Sequence, residues 1–174
     1  MRGDNTESVA GTTTDGDRRL TIILTSNDMD KVWAALVLAV GAASSGLAVS
    51  MFFSFWGLSV LRKRAGAAGH MKKPLLERMF GLMLPKGPGH LKLSKMNMAG
   101  LGPKVFRHVA RLKNIASPIE LLDTARELGV RLVACQMTMD MMGLRHEEMI
   151  EGVEPGGVAT CLGDACHSKA TLFI

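Results

Sequence analysis

The chain has 174 residues, of which 47% are apolar and 21% are charged, as in a globular protein with an ordinary core. These values exclude a wholly disordered chain, a coiled coil and a small disulfide-stabilised scaffold. A net charge of +5 favours anionic partners only weakly, and an aromatic content of 5% argues against a nucleic-acid surface built on stacked rings. Three cysteines in a chain without a disulfide framework indicate a reducing compartment and predict a cytoplasmic protein.

The first half of the chain predicts a disordered tail followed by two βα units. Residues 1–18 are rich in Gly, Thr and Asp and cannot bury enough surface to offset the entropy of ordering. Residues 19–174 are expected to form a single domain. The first elements are predicted as a strand at 20–24, a helix at 29–45, a strand at 47–53 and a helix at 55–64. This pattern predicts an α/β fold, a three-layer sandwich with a mainly parallel sheet.

A membrane segment is the competing interpretation of residues 32–61. This stretch carries no charge and precedes the basic residues 62–64 (RKR), like a span with a positive flank. Its Gly and Ser residues indicate a helix end and a turn instead, which a buried α/β layer explains. Membrane association is therefore the alternative to a cytoplasmic location.

Residues 65–103 predict a long insertion, because Gly, Pro and Met recur throughout them. Between Arg62 and Lys95 there are nine basic residues and one acid, Glu77. The insertion is interpreted either as a solvated segment packed on a neighbouring subunit or as a basic flap. Such a flap would suit a protein partner or peripheral association with a membrane surface. A short helix at 75–84 is expected within it.

Regular structure is expected again after the insertion. The predicted elements are a helix at 104–113, a helix at 119–128 capped by Ser117, a strand at 131–134, a helix at 136–142 closed by Gly143, a helical turn at 146–150, a strand at 158–162, a helical turn at 164–169 and a strand at 171–174.

Cys135 is the candidate reactive residue, because it stands where a predicted strand ends and a helix begins. Ligands of open parallel sheets bind beyond the carboxyl ends of the strands, and the start of a helix favours a thiolate. Ser26, Asn27 and Asp28 follow the first strand, so we expect them to line a strand-end pocket together with Gln136. The alternative interpretation of Cys135 is a small core side chain.

Cys161, Cys166 and His167 form a C-x4-C-H sequence that lacks the second half of a zinc site. No metal site is therefore predicted, and the two cysteines are possible secondary thiols, as a redox pair or in a resolving role. No cofactor is expected, since the glycine pattern matches neither a Walker motif nor a dinucleotide fingerprint.

Four stretches carry a resemblance to a known family: residues 51–58 (MFFSFWGL), 93–102 (LSKMNMAGLG), 134–143 (ACQMTMDMMG) and 156–160 (GGVAT). Together they resemble the DsrE/DsrF-like family, and most closely its second DsrE subfamily. Members of this subfamily are often labelled peroxiredoxin-family or disulfide-oxidoreductase proteins. The similarity covers residues 19–174 and leaves out the amino-terminal tail.

This resemblance implies a mainly parallel α/β fold, a homo-oligomer and a role in sulfur relay. In such a relay one cysteine carries a persulfide between donor and acceptor proteins, here expected to be rhodanese-like and TusA-like, with no nucleic acid involved. The carrier role falls on Cys135, which is followed by Gly143 eight residues later as in the family. Cys161 and Cys166 lie where the family is not expected to have cysteines.

Three functions are compatible with these features. The first is an intracellular sulfur carrier resembling a sulfurtransferase, and whether it turns over as an enzyme or only carries sulfur is left open. The second is a thiol-disulfide oxidoreductase that uses Cys135 with Cys161 or Cys166. The third is a non-catalytic oligomeric interaction protein.

Overall fold

Five strands, five α-helices and several short 3₁₀-helices make up the regular structure of the described residues, which in this computed structural model are 18–63, 85, 87–95 and 98–174. The strands are β1 (Arg19–Leu24), β2 (Ala48–Phe53), β3 (Arg131–Cys135), β4 (Val153–Gly156) and β5 (Ala170–Phe173). The helices are α1 (Met29–Ser44), α2 (Leu101–Leu112), α3 (Pro118–Glu127), α4 (Gln136–Met142) and α5 (Val158–Cys166). Nearly all of the expected tail, and the helix expected at 75–84, lie outside the described residues.

All strand pairs of the sheet are parallel, in the order β4-β3-β2-β1-β5. Alternate strand residues divide between its two faces, because successive side chains of a strand point to opposite sides. Ile22, Met51 and Leu132 pack with α1 and α3 in the main core. Phe52 and Val133 point the other way and cluster with residues of β3 and α5. The predicted three-layer α/β fold is thus confirmed.

The strand predicted at 158–162 is wrong, since these residues form the start of α5. The connection from β4 to β5 joins parallel strands at opposite edges of the sheet, so it requires a crossover element. Asp164 fixes this helix to the sheet by accepting hydrogen bonds from Ser50 at 2.8 Å and from Arg131 at 2.7 Å. The strand missed by the prediction is β4, whose Pro155 is tolerated because the strand lies at an edge.

The α-helix predicted at 55–64 is also wrong, because the chain there forms a 3₁₀-helix at Phe55–Leu61. Its residues 57–61 are all buried, so the segment lacks the polar face of a surface helix. Gly57 donates a hydrogen bond to the Thr25 carbonyl at 3.0 Å. This approach is so close that a Cβ at position 57 would run into the carbonyl oxygen of Leu24.

Part of the predicted insertion packs on the domain. The Lys92 carbonyl accepts a hydrogen bond from the Met29 amide at 2.7 Å, and the Ser94 hydroxyl donates to Asp30 at 2.6 Å. Leu91 is buried in the main core, and α2 begins at Leu101 rather than at 104. The uncharged stretch 32–61 is shared among α1, β2 and the 3₁₀-helix. Within the described ranges, no helix is both long and apolar enough to cross a bilayer.

We predict that Gly57→Ala lowers the free energy of unfolding by about 1–3 kcal/mol, because the added methyl group must displace the backbone of β1. Gly41→Ala is the matched control, since Gly41 lies in α1 with open space at its Cβ position. That change is expected to raise the free energy of unfolding by about 0.5–1 kcal/mol, the helix-propensity gain of Ala. Urea denaturation measures both variants, and a shift of the same sign for the two would contradict the packing described for Gly57.

Candidate functional site

Cys135 is the last residue of β3 and directly precedes α4. Its register partner on one side is Gly156, the last residue of β4. On the other side β2 pairs Phe53 with Ala134, so Ser54 follows β2 at the level of Cys135. The Cys135 side chain is only 2% exposed. The thiol therefore lies at the carboxyl edge of the sheet, between two strand ends, and is shielded from solvent.

Two hydroxyl groups hold the start of α4 against the end of β2. The Ser54 and Thr138 hydroxyls are 3.1 Å apart and share a hydrogen bond, and the Phe55 amide donates to Thr138 at 3.4 Å. Both side chains are buried, and Phe55 has a positive φ of 47°. Ser54 and Thr138 are not among the residues predicted from the sequence. Their positions in the sequence could have indicated both residues. Ser54 directly follows β2 at the same edge where Cys135 ends β3, and Thr138 lies three residues after Cys135.

A second thiol lies in the buried cluster that contains Cys135. Cys161 of α5 is 9% exposed and packs with Phe52, Val133 and Cys135 on the face of the sheet opposite α1. It is therefore a buried helix residue, although the sequence predicted a strand at 158–162. Burial raises the pKa of the Cys161 thiol, and the charges of Asp164 and Cys135 raise it further.

The C-x4-C-H sequence does not converge on one point. Cys166 is exposed at the end of α5, whereas Cys161 faces the sheet. The His167 Nδ1 atom, at the carboxyl end of α5, lies 2.7 Å from the Gly163 carbonyl oxygen of that helix. No group of three His, Cys, Asp or Glu side chains in the described part of the chain could hold a metal ion. Of the two possible secondary thiols, Cys161 belongs to the buried cluster around Cys135 and Cys166 does not.

Of the predicted pocket residues, Gln136 directly follows Cys135, whereas the three that follow β1 lie at the same edge of the sheet but not beside Cys135. Ser26, Asn27 and Asp28 follow β1, and β2 separates β1 from β3. The Ser26 hydroxyl accepts a hydrogen bond from the Asp28 amide at 3.1 Å, and the Asp28 carboxylate pairs with Lys31 at 3.3 Å. Gln136 is exposed on α4.

Gln136 is held within its own helix, since its Nε2 atom donates to Asp140 at 2.8 Å.

Several exposed apolar side chains belong to residues that closely follow the ends of β2 and β3 in the chain. An exposed surface is usually polar, so this group is unusual. Phe55 and Trp56 follow β2, and Met137 and Met141 lie on α4; each is between 43% and 57% exposed. We call these four residues the apolar rim. A rim of this kind, with flexible Met side chains, suits contact with another protein.

Comparisons with known proteins agree with the resemblance seen in the motifs. Residues 16–173 match the model of the DsrE/DsrF/DrsH-like family. The chain is 44% identical to the uncharacterized protein YrkE of Bacillus subtilis, over 92% of this chain and 99% of that protein. It is 32% identical to the sulfur carrier protein DsrE2 of Allochromatium vinosum, over 90% of this chain and 98% of that protein.

A solved structure shows the same fold. The crystal structure of the ychN protein from E. coli aligns with a TM-score of 0.53 at 11% identity, over 91% of this chain and 99% of that one. At this identity the likeness concerns the fold alone. The family model spans most of the chain, and two relatives above 30% identity are covered almost completely. The chain is a member of the DsrE/DsrF/DrsH-like family.

Proposed function

We propose that this protein is a sulfur carrier in which Cys135 holds a persulfide. The observation that carries the proposal is the position of Cys135 at the carboxyl edge of a parallel sheet, where such folds bind their ligands. Membership of a family that includes a protein named as a sulfur carrier supports it. Neither Cys161 nor Cys166 ends a strand of the sheet.

The proposed transfer needs no external oxidant or reductant. The Cys135 thiolate attacks the outer sulfur of a donor persulfide, the donor leaves as a thiolate, and Cys135 becomes the persulfide. An acceptor thiolate then attacks the outer sulfur on Cys135 in the same way. We propose a rhodanese-like donor and a TusA-like acceptor. Each of them contacts the apolar rim when it exchanges sulfur with Cys135.

Burial of Cys135 implies that the transfer takes place on a locally opened form. The Cys135 side chain is 2% exposed, so a partner thiol cannot reach it without some movement. The face of the sheet that carries Cys135 is covered by α5. This helix contributes one buried side chain, Cys161, while Val158 and Leu162 are more than half exposed. An element with so little buried apolar surface opens at a lower free energy than the whole domain.

A homo-oligomer in the cytoplasm completes the proposal. The edge strand β5 carries Phe173, which is 73% exposed. An uncovered apolar edge strand favours pairing with another chain. Light scattering of the purified protein measures how many copies associate.

The thiol-disulfide oxidoreductase is the second candidate function. It is favoured by the shared cluster of Cys135 and Cys161, two thiols that an oxidant would have to join. It requires a Cys135–Cys161 disulfide that forms and breaks without any sulfane sulfur. Peptide mapping of the protein after treatment with oxidant alone, and then with dithiol, distinguishes this activity from sulfur transfer.

We predict that Cys135→Ser abolishes persulfide loading. After incubation with a persulfide donor, the intact mass of the parent protein is expected to rise by one sulfur atom, about 32 Da, and that of the variant to stay unchanged. Cys166→Ser is the matched control and should load as the parent protein does, because Cys166 lies outside the buried cluster. Full loading of Cys135→Ser, with a normal unfolding curve, would refute the proposed function.

We also predict that Cys135 in the native protein reacts with a maleimide at least about 100-fold more slowly than Cys166, because reaction requires local opening. Denaturation in urea should bring the two rates close together. Peptide mapping at successive times measures each rate. Equal rates in the native protein would contradict the burial of Cys135 beneath α5.

A further inference from the structure

Cys161 takes no part in the relay described above, yet the fold buries it in the cluster that holds the sulfur-bearing residue. Phe52 and Val133 are the other buried members of this cluster, so the two thiols lie among apolar side chains. The third cysteine, Cys166, is exposed. Two thiols enclosed together are placed for reaction with each other rather than with solvent.

The backbone between the two thiols is short and well held. Gly156 pairs with Cys135 in the sheet, and the chain then turns into α5, where the Cys161 amide donates to the Gly157 carbonyl at 3.1 Å. Glycine at position 156 allows this close packing, because a Cβ there would run into the Val133 side chain and lie 3.3 Å from that of Thr160. One turn beyond Cys161, the bonds of Asp164 to the sheet fix the helix in place.

We propose that Cys161 discharges a persulfide that Cys135 has not delivered. This inference rests on the proposed function, since it requires sulfur on Cys135. The Cys161 thiolate attacks the inner sulfur, which is the Cys135 Sγ atom, and the bond to the outer sulfur breaks. The outer sulfur leaves as hydrosulfide, so it is reduced while the two cysteines are oxidised to a Cys135–Cys161 disulfide. A cellular dithiol then restores both thiols.

The surroundings of Cys161 keep this reaction slow at neutral pH. Burial and the charges of Asp164 and Cys135 raise the pKa of the Cys161 thiol, which therefore stays protonated and poorly nucleophilic. The other charged groups nearby are Arg131 of β3, which pairs with Asp164 at 2.7 Å, and Glu154 of β4, which pairs with Arg131 at 2.9 Å. An acceptor protein thus has time to collect the sulfur before the discharge occurs.

The test follows protein that has been loaded with a persulfide donor and then separated from it. We predict that the parent protein loses the added sulfur, releases sulfide in equal amount and ends about 2 Da lighter than its reduced form, with a disulfide mapped to Cys135 and Cys161. Cys161→Ser and Cys161→Ala should keep the persulfide at least about tenfold longer. Cys166→Ser is the matched control and should discharge like the parent protein. Unfolding curves show whether the Cys161 variants keep the fold.

Failure of the inference is distinguishable from failure of the proposed function. If the parent protein takes up no sulfur, the proposed function itself is wrong. If every variant loads and the two Cys161 variants discharge as fast as the parent protein, the function stands and the inference is overturned. Transfer of the intact persulfide to Cys161 without release of sulfide also overturns it.

We further predict that the discharge rate rises with pH, because the raised pKa leaves more of the Cys161 thiol protonated at neutral pH than in a free cysteine. Measured between about pH 7 and pH 10, the midpoint of the rate should lie above the ordinary pKa of a cysteine thiol, because the pKa of Cys161 is raised. Cys161→Ser at each pH corrects for spontaneous loss of sulfur. A rate that does not change with pH, or a midpoint below the ordinary value, would show that Cys161 is not the attacking group.

Discussion

The parallel pairing of β2, β3 and β4 is the constraint on which the proposed chemistry depends. Parallel strands end at the same edge of a sheet, so the register that pairs Phe53 with Ala134 and Cys135 with Gly156 brings three strand ends together. Ser54, Cys135 and Gly156 meet there because of this register. The return crossover through α5 then covers the thiol with a second cysteine.

The two faces of the sheet are covered unequally, and this difference explains how a buried thiol can still act. The face that packs on α1 and α3 holds nearly all of the core. The other face carries a cluster of four buried residues, of which Cys161 belongs to α5 and Phe52, Val133 and Cys135 belong to the sheet beneath it. The face that packs on α1 and α3 stabilises the fold. The face covered by α5 can therefore open without unfolding of the whole domain. In the proposed relay, a sulfur atom on Cys135 would thereby be shielded from water and from small thiols until a partner binds.

Local patterns in the sequence predict most of the elements, while residues that depend on long-range packing escape prediction. The strand before Cys135, the helix after it and the Ser117 cap of α3 follow from propensity and capping, and Ser117 does accept a hydrogen bond from the Glu120 amide. The segment 158–162, which holds the β-branched residues Val158 and Thr160, resembles a strand and is helical only because the connection must cross the sheet. The place of Cys161 beside Cys135 depends on that crossover, which no spacing in the sequence reveals.

The most direct test of the central claim uses three proteins that each keep one cysteine, at 135, 161 or 166, with serine at the other two positions. Each is incubated with the same persulfide donor and then with an acceptor thiol, and the sulfur bound and passed on is measured by intact mass. We predict that the protein with Cys135 alone binds one sulfur atom and passes it on, while the other two stay unchanged. Equal loading of the protein with Cys166 alone would contradict the account, because exposure rather than position at the sheet edge would then decide which thiol carries sulfur.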